Sequence, residues 1–315
     1  MKAVVASDYG PPEGFTLADV ETPLPGPGQI QVKVRAAALN PVDLTVVAGG
    51  LAELTFPHVL GNDFAGTVTA IGPGVTGFQQ GGFKPGDEVF GHAMPRALRA
   101  IAGRGKPSLG TGTLAEFVVV EADTPFIAHR PPSLPAAEAA ALGTAGLTAR
   151  AVAITAAVTP GERVLVIGAT GGVGTTLLPL LSHAHAIATG HPADETLLRK
   201  LGATETMGYA QYPPNIDVAL NLALPSDQLA DVARVIRPGG RLFTITFPFP
   251  RQEWIARDDV EFRLILDSEG TLGGAAELTE LRATIAHTYA LAEGPEAYRD
   301  LAHRHSVGKL VIAMP

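Results

Sequence analysis

The sequence has no cysteine, one tryptophan and four methionines in 315 residues. The missing cysteine is the most restrictive absence, because without it the chain can build no disulfide, thiolate nucleophile or thiolate metal ligand. Charge is sparse at 17%, and acids outnumber bases 31 to 23, for a formal net charge of −8. That balance argues against nucleic acid or an anionic membrane as partner, since either selects a basic face. No stretch approaches the roughly twenty uninterrupted apolar residues of a membrane span, so none is expected. The apolar opening Met1–Ala6 is soon stopped by Asp8. It is too short for the apolar region of a signal peptide, and a cytoplasmic protein is expected.

What is present is a 46% hydrophobic composition with 36 glycines and 26 prolines, scattered rather than clustered. This describes a globular chain with many tight turns, long enough for two domains. Up to about residue 120 the texture is β-rich. Gln29–Arg35 alternates polar and apolar residues, and Ala65–Ile71 and Ala115–Val120 are β-prone, set among Pro/Gly turn clusters. From residue 136 the texture changes. An Ala-rich stretch, Ala136–Val158, reads as helix broken near Gly143 and Gly146 and closed by Pro160-Gly161. Strands are then expected at Arg163–Ile167, His185–Thr189, Ile216–Asn221 and Arg241–Thr246. Helices are expected between them at Val173–Ser182, Asp194–Leu201 and Asp227–Ile236. Such alternation implies a parallel sheet with helices on both faces. The tail ends in a strand-like Lys309–Ala313 that plausibly returns to the first domain. The expected division is 1–124 with 263–315, and 125–262.

The chemistry concentrates in Gly168-Ala169-Thr170-Gly171-Gly172-Val173-Gly174, directly after the apolar strand Arg163–Ile167 and before a helical segment. Strand, glycine turn and helix in that order form a dinucleotide site: Gly171 lets the backbone approach a pyrophosphate, Gly174 lets the helix pack on the strand, and the helix-start N–H groups hold the phosphates. The first glycine of G-x-G-x-x-G is Ala169 here. The Tyr and Lys four residues apart of a short-chain dehydrogenase are absent, because none of the five tyrosines has lysine at that offset. The second strand ends in Thr189-Gly190-His191 with no carboxylate, and Asp194 reads as part of a helix start. Without an acid there, a 2′-phosphate is tolerated, and His191 with Arg199 or Lys200 could answer its charge. NADPH is therefore favoured over NADH.

Eight stretches in order resemble one family: Asn40-Pro41-Val42-Asp43, Gly61-Asn62-Asp63-Phe64-Ala65-Gly66, Lys84–Val89, Gly146-Leu147-Thr148-Ala149, Gly168–Gly174, Leu201-Gly202-Ala203, Arg237–Arg241 and Gly308-Lys309. The chain resembles a medium-chain dehydrogenase/reductase of the zinc-free quinone oxidoreductase branch. The resemblance implies an α/β protein: a GroES-like β-rich catalytic domain, a Rossmann domain with a doubly wound parallel sheet, and a substrate cleft between them. Zinc relatives carry Gly-His-Glu where this chain has Gly61-Asn62-Asp63, and they also use a cysteine. His58, Asp63 and His92 could in principle form a substitute, but no metal is expected, and His183, His185, His303 and His305 read as surface or helix-end residues.

The same resemblance implies that Asn40 and Asp43 lie near the nicotinamide. The competing reading makes Asn40 a helix cap with Pro41 at the first helical position. Thr144, Thr148, Tyr209, Ala223 and Phe247 match positions that approach the cofactor in relatives, while Arg304 and Lys309 could reach it or merely solvate the surface. The implied chemistry is hydride transfer to a quinone or α,β-unsaturated carbonyl polarised by a hydrogen-bond donor. Tyrosines that many relatives carry after Asn-Pro-x-Asp are replaced here by Thr45, Val47 and Leu51.

Other features leave choices open. Arg96, Arg99, Arg104 and Lys106 lie in an acid-free segment, 92–110, that reads as a solvated surface helix or a basic lid for an anionic substrate. Phe247, Phe249 and Trp254 read equally as an apolar pocket or as core. An enoyl reductase acting on acyl thioesters is the second enzymatic reading, and a non-catalytic NADPH-binding protein the third. Glu261–Leu266, around Phe262, alternates like the edge strand through which relatives pair, so a homodimer is expected.

Overall fold

The strand Gln29–Ala38 is the spine of the β-rich part of the protein. It pairs antiparallel with Asp63–Ile71 along most of its length, with Phe117–Glu121 along its first half and with Lys309–Ala313 at its end. The alternation legible over residues 29–35 gives way to Ala36-Ala37-Ala38, all buried. Small side chains buried on both faces carry no period, which is why the strand runs further than its pattern. The computed structural model describes residues 1–75, 82–103 and 105–315.

The main sheet runs Ile127–His129, Glu88–His92, Asp63–Ile71, Gln29–Ala38, Lys309–Ala313, Ile285–Ala290. A smaller sheet sets Lys2–Ala6 between Thr16–Asp19 and His58–Val59. The C-terminal strand thus sits inside a sheet begun by the N-terminal residues. Val4, Ile30, Val32, Phe64, Leu114, Val118 and Ile312 form one core between these elements. Each contributes roughly 1.5–3 kcal/mol through burial. Tyr298, on the helix Gly294–His303, is fully buried against the same core.

The helix Ala136–Ala156 is continuous, so the break expected near Gly143 and Gly146 does not occur. Gly143 is there for closeness: a Cβ on it would lie 2.6 Å from the Asp63 carboxylate. By length and apolar composition this helix could cross a bilayer, although the sequence shows no unbroken apolar run. In the folded chain 61% of its apolar window is buried, as in a core helix. The chain divides into residues 1–147 with 267–315, and residues 148–266. The division falls inside this helix rather than at 124/125, because Ala139 to Leu142 pack with Ala36, Ala38, Ala65 and Leu278.

The acid-free segment forms the helix Pro95–Ala102. Arg96 pairs with Glu121 at 3.1 Å and Arg99 with Glu269 at 3.0 Å. Acids distant in sequence neutralise these two cations, and Arg104 lies outside the described residues.

The second unit holds six parallel strands: β1 (Arg163–Ile167), β2 (His185–Thr189), β3 (Glu205–Met207), β4 (Ile216–Asn221), β5 (Ile236–Thr244) and β6 (Glu261–Leu264). Their order is β3-β2-β1-β4-β5-β6, the doubly wound arrangement in which strand order reverses between β1 and β4. β3 escaped the sequence pattern because three half-buried residues, Glu-Thr-Met, show no apolar run. β5 begins earlier than expected, passing through the Pro238-Gly239-Gly240 irregularity. The segment expected as helix over Val173–Ser182 is α-helical only over Gly172–Leu177 and tightens to a 3₁₀ turn at Leu178–Leu181, around Pro179. Helix over 227–236 shortens to Ala230–Val235.

Candidate active site

At the C-terminal end of β1 the chain turns through Gly168, whose φ of +81° favours glycine. Ala169 and Thr170 are buried, Gly171 caps the following helix, and Gly172, Val173 and Gly174 form its first turn. A Cβ on Gly174 would meet the Ala169 backbone at 2.6 Å, so only glycine lets helix and turn pack this closely. Thr189 Oγ1 accepts from Gly168 N at 3.1 Å and ties the end of β2 to this turn. Ala223 stands beside it: a Cβ on Gly168 would come within 2.8 Å of the Ala223 Cβ.

The loop carrying Ala223 is fixed by Asn221, a residue the sequence did not single out. Its Nδ2 donates to Leu224 O at 2.7 Å and Thr244 Oγ1 at 2.9 Å, and its Oδ1 accepts from Leu224 N at 2.9 Å. Bare amides and glycines at the point where strand order reverses fit the diphosphate of a dinucleotide. Gly168 to Gly174, Gly190 and Ala223 would hold it.

Beyond β2, Gly190 and His191 follow in that order, and His191 Nδ1 accepts from Ala193 N at 3.3 Å. Asp194 Oδ2 accepts from His191 N at 3.3 Å, as a helix start requires. Arg199 pairs with Glu195 at 2.8 Å and donates to Thr204 O, so it is committed elsewhere. Tyr209 is 52% exposed on the turn after β3. Phe247 follows β5 with its ring 5.3 Å from Phe249, and Arg251 lies over Trp254. Thr148 is half-buried within Ala136–Ala156. Arg304 belongs to the first unit, where it pairs with Asp300 at 3.0 Å.

The first unit contains a buried polar cluster built around Asp63, at the start of its strand and fully inaccessible. Asp63 Oδ1 accepts from Thr144 N at 2.8 Å and Thr144 Oγ1 at 2.7 Å. Its Oδ2 accepts from Asn40 Nδ2 at 2.8 Å and lies 3.7 Å from Lys309 Nζ. Lys309 is 5% exposed, so it does not solvate the surface. Its ammonium donates to Asn40 Oδ1 and Leu39 O, both at 2.5 Å. Both ends of the Asn40 amide are therefore held internally, and its side chain makes no capping bond. Capping falls instead to Asp43, whose Oδ2 accepts from Asn40 N at 2.9 Å. Asp43 also accepts from Asn62 Nδ2 at 2.6 Å and Tyr298 OH at 3.0 Å.

Burial raises the Asp43 carboxyl to about 7, against the Asn40 N–H, with the Asp63 charge adding to the rise. Burial also acts on Asp63, but the His92 hydrogen bond, the Lys309 ammonium and the Asn40 amide outweigh it and hold that carboxyl below its usual range. Burial lowers the Lys309 ammonium against the pull of Asp63 and Asp43. Sequence alone carries only a weak signal for two members of this cluster: Asp63 and Lys309 are charges that open otherwise apolar strands, a position that suits solvent as well as a buried partner. Tyr298 had no such signal.

His58 is 2% exposed, its Nδ1 is buried with no hydrogen-bond partner among the described residues, and burial drives its pKa down to about 4. A histidine whose folded pKa lies below its ordinary 6.5 supports the fold above pH 6.5, and that support is lost as pH falls toward 4. The raised Asp43 works in the opposite sense, weakening the fold as pH rises from 3.8 to about 7. A comparison with His58→Leu isolates the histidine: from pH 7 to pH 4 the wild type is expected to lose about 3 kcal/mol relative to the variant. Parallel urea midpoints across that range would contradict this.

Of the histidines read as surface or helix-end residues, His183 bonds Val158 O at 2.9 Å, His185 bonds Glu205 at 2.5 Å and His303 bonds Glu13 at 2.8 Å. Among the described residues no three histidine, aspartate or glutamate side chains converge to hold a metal ion. With no cysteine and with Asp63 committed to Lys309, Asn40 and Thr144, the residues do not fit the zinc site of the zinc-dependent relatives.

Residues 26–131 match the alcohol dehydrogenase GroES-like domain, and residues 193–312 match the zinc-binding dehydrogenase family. Over 92% of its length the chain is 32% identical to a spectinabilin polyketide synthase system protein of Streptomyces orinoci, but it spans only 13% of that protein. It is 32% identical over 78% of its length to the 2-methylene-furan-3-one reductase of Solanum lycopersicum, of which it spans 62%. It is 29% identical over 99% of its length to a chloroplastic quinone oxidoreductase of Triphysaria versicolor, spanning 98% of that protein. Among solved structures, the quinone oxidoreductase from Coxiella burnetii superposes with a TM-score of 0.80 at 25% identity, covering 100% of this chain and 99% of that one. A thermostable alcohol dehydrogenase from Pyrobaculum aerophilum gives 0.81 at 28% identity, covering 99% of each chain. The protein belongs to the medium-chain dehydrogenase/reductase superfamily. Members of that family are oxidoreductases that bind a nicotinamide cofactor.

Proposed function

We propose that the protein is an NADPH-dependent, zinc-independent reductase of quinones or α,β-unsaturated carbonyls. The observation that carries this reading is the glycine turn at the β1–β4 reversal, next to a β2 end that presents His191 and no carboxylate. Asp194 is occupied in capping. Lys200, exposed on the following helix, supplies a cation for a 2′-phosphate. When bound, the reduced nicotinamide supplies a hydride. Among this chain's own residues, Gly168 to Gly174 would grip the diphosphate and Asn221 fixes the loop beside it. An electrophile already activated by conjugation does not need the Lewis acid that a simple carbonyl does, which agrees with a donor set unsuited to zinc.

A steady-state screen of 1,4-naphthoquinone, 2-cyclohexenone and crotonyl-coenzyme A with NADPH and with NADH tests the reading, in the presence of a chelator. NADPH is expected to bind at least tenfold tighter than NADH, with the quinone or enone turned over. Equal affinities would remove the 2′-phosphate argument. Dinucleotide binding without any turnover would mark a non-catalytic protein. The relation to a polyketide synthase protein supports a second reading, an acyl-thioester enoyl reductase, in which the coenzyme A substrate alone is reduced.

Among the described residues the edge strand β6 pairs with β5 alone, and Glu261 and Arg263 form an ion pair along it at 2.9 Å. We infer that a second copy covers this edge around Phe262. Light scattering is expected to give about twice the chain mass of 32.5 kDa, and a monomeric mass would contradict the dimer.

A further inference from the structure

On the edge strand β6, backbone direction and charge alternate in step. Ile265 N donates to Thr244 O at 2.8 Å, and Gly239 N donates to Asp259 O at 2.9 Å. The odd-numbered residues of this stretch therefore turn their backbone groups toward β5, in keeping with the parallel register from Arg241↔Glu261 to Thr244↔Leu264. Alternation along an extended strand then turns the N–H and C=O of Phe262 and Leu264 outward. Among the described residues no strand receives them. The side chains divide in the same way. Phe262 is buried in the core of the second unit, whereas Glu261 and Arg263 share the opposite face, with side chains 42% and 58% exposed. The Arg263 guanidinium lies 5.9 Å from the centre of the Phe243 ring, which keeps it close to the sheet.

Two copies related by a two-fold axis meet antiparallel at such an edge. Outward-facing residues must lie opposite outward-facing residues, so the axis passes through a residue and never between two. Four positions remain along β6. An axis at Glu261 sets that carboxylate against the partner's Glu261, and an axis at Arg263 sets guanidinium against guanidinium. An axis at Leu264 leaves Glu261 opposite the partner's Asp267. The axis at Phe262 alone brings Glu261 opposite the partner's Arg263, twice by symmetry, while the Phe262 N–H and C=O bond their own counterparts. Residues opposite each other in a pair without hydrogen bonds stand about 4.5 Å apart between Cα atoms. That is closer than two positions along one strand, about 6.6 Å. Opposite charges so placed attract, and like charges repel. We propose that the second unit recognises its own copy through Glu261-Phe262-Arg263, paired antiparallel about Phe262. The proposal rests on the dimer reading above and adds to it the register and the charges that select it. Each ion pair along β6 then joins its symmetry mate in a cluster of four alternating charges.

Because the chain has no cysteine, an introduced thiol reports on the register without interference. Glu261→Cys and Arg263→Cys chains, co-expressed with different tags and oxidised with glutathione disulfide, are expected to link as a mixed dimer. A Cα separation of about 4.5 Å suits a disulfide. Either cysteine variant alone should link at least tenfold less, since like positions lie about 7–8 Å apart. Charge exchange gives a second measurement. Glu261→Arg and Arg263→Glu each place like charges face to face and should raise the dimer Kd about tenfold or more. The double exchange, or co-expression of the two single variants as a mixed dimer, should restore association. Self-linking of Glu261→Cys or of Arg263→Cys at the rate of the mixed pair would move the axis and overturn the proposal. A dimer in which no pair links, or charge variants that associate like the wild type, would also overturn it. A wild type that is monomeric by light scattering would instead remove the dimer reading itself.

Discussion

Lys309→Met is expected to cost about 3–5 kcal/mol of folding free energy, the loss typical of removing one partner from a buried ion pair. The methionine keeps the bulk of the stem and removes only the ammonium. Without it, Asn40 Oδ1 and Leu39 O lose a donor, and the wholly inaccessible Asp63 loses the ammonium 3.7 Å from its Oδ2. Asp63 would then favour protonation, so the variant should recover part of its stability as pH falls. A second substitution, Asp63→Asn, relieves the uncompensated charge. The double variant should therefore be more stable than the sum of the single losses predicts. Urea midpoints for the three variants measure this. A Lys309→Met midpoint within about 1 kcal/mol of wild type would mean that Lys309 is not the internal counter-ion that its geometry indicates. Because the same ammonium orients Asn40, turnover should suffer beyond the stability loss, and Lys309→Arg should restore little, since a larger planar group does not fit the same cradle.

The other large effect concerns Gly174→Ala. Its new methyl would lie 2.6 Å from Cα, C and O of Ala169, all backbone atoms with no side chain to swing aside. Either the turn or the helix must move, and both belong to the dinucleotide cradle. Overpacking of this kind costs about 1–3 kcal/mol. If the movement is taken up by the cradle, dinucleotide affinity should fall by up to about 100-fold, equivalent to about 2.8 kcal/mol. Gly171→Ala is the contrasting case, because its Cβ would be 3.5 Å from the nearest atom, Gly168 O, an ordinary contact. It should leave stability unchanged, whatever it does to the approach of a phosphate. Calorimetric titration with NADPH, together with thermal melts, separates the two outcomes. Full affinity in Gly174→Ala would show that the cradle does not depend on that close approach.

What the sequence determined by itself was local and periodic. The β1 strand, the glycine turn and the helix after it follow from an apolar run, a spacing of glycines and a change of period, and each is decided within a dozen residues. Alternating strand and helix signals were enough for the parallel sheet, and the strand-like Lys309–Ala313 tail suggested a return to the first domain, which its pairing with Ala36–Ala38 shows. Ordered motifs spread along the chain were enough for the family. Tertiary structure decided the rest. Gly143 and Gly146 look like helix breakers until the carboxylate of Asp63 and the side chain of Leu278 are found pressed against them. Arg96 and Arg99 look like a basic patch until Glu121 and Glu269 arrive from distant parts of the chain. Lys309 looks like a surface lysine, and His92 like a spare histidine. Their meaning depends on Asp63 and Thr144, which stand far from them in sequence. A charge is cheap or costly according to what surrounds it, and no window of sequence contains its surroundings.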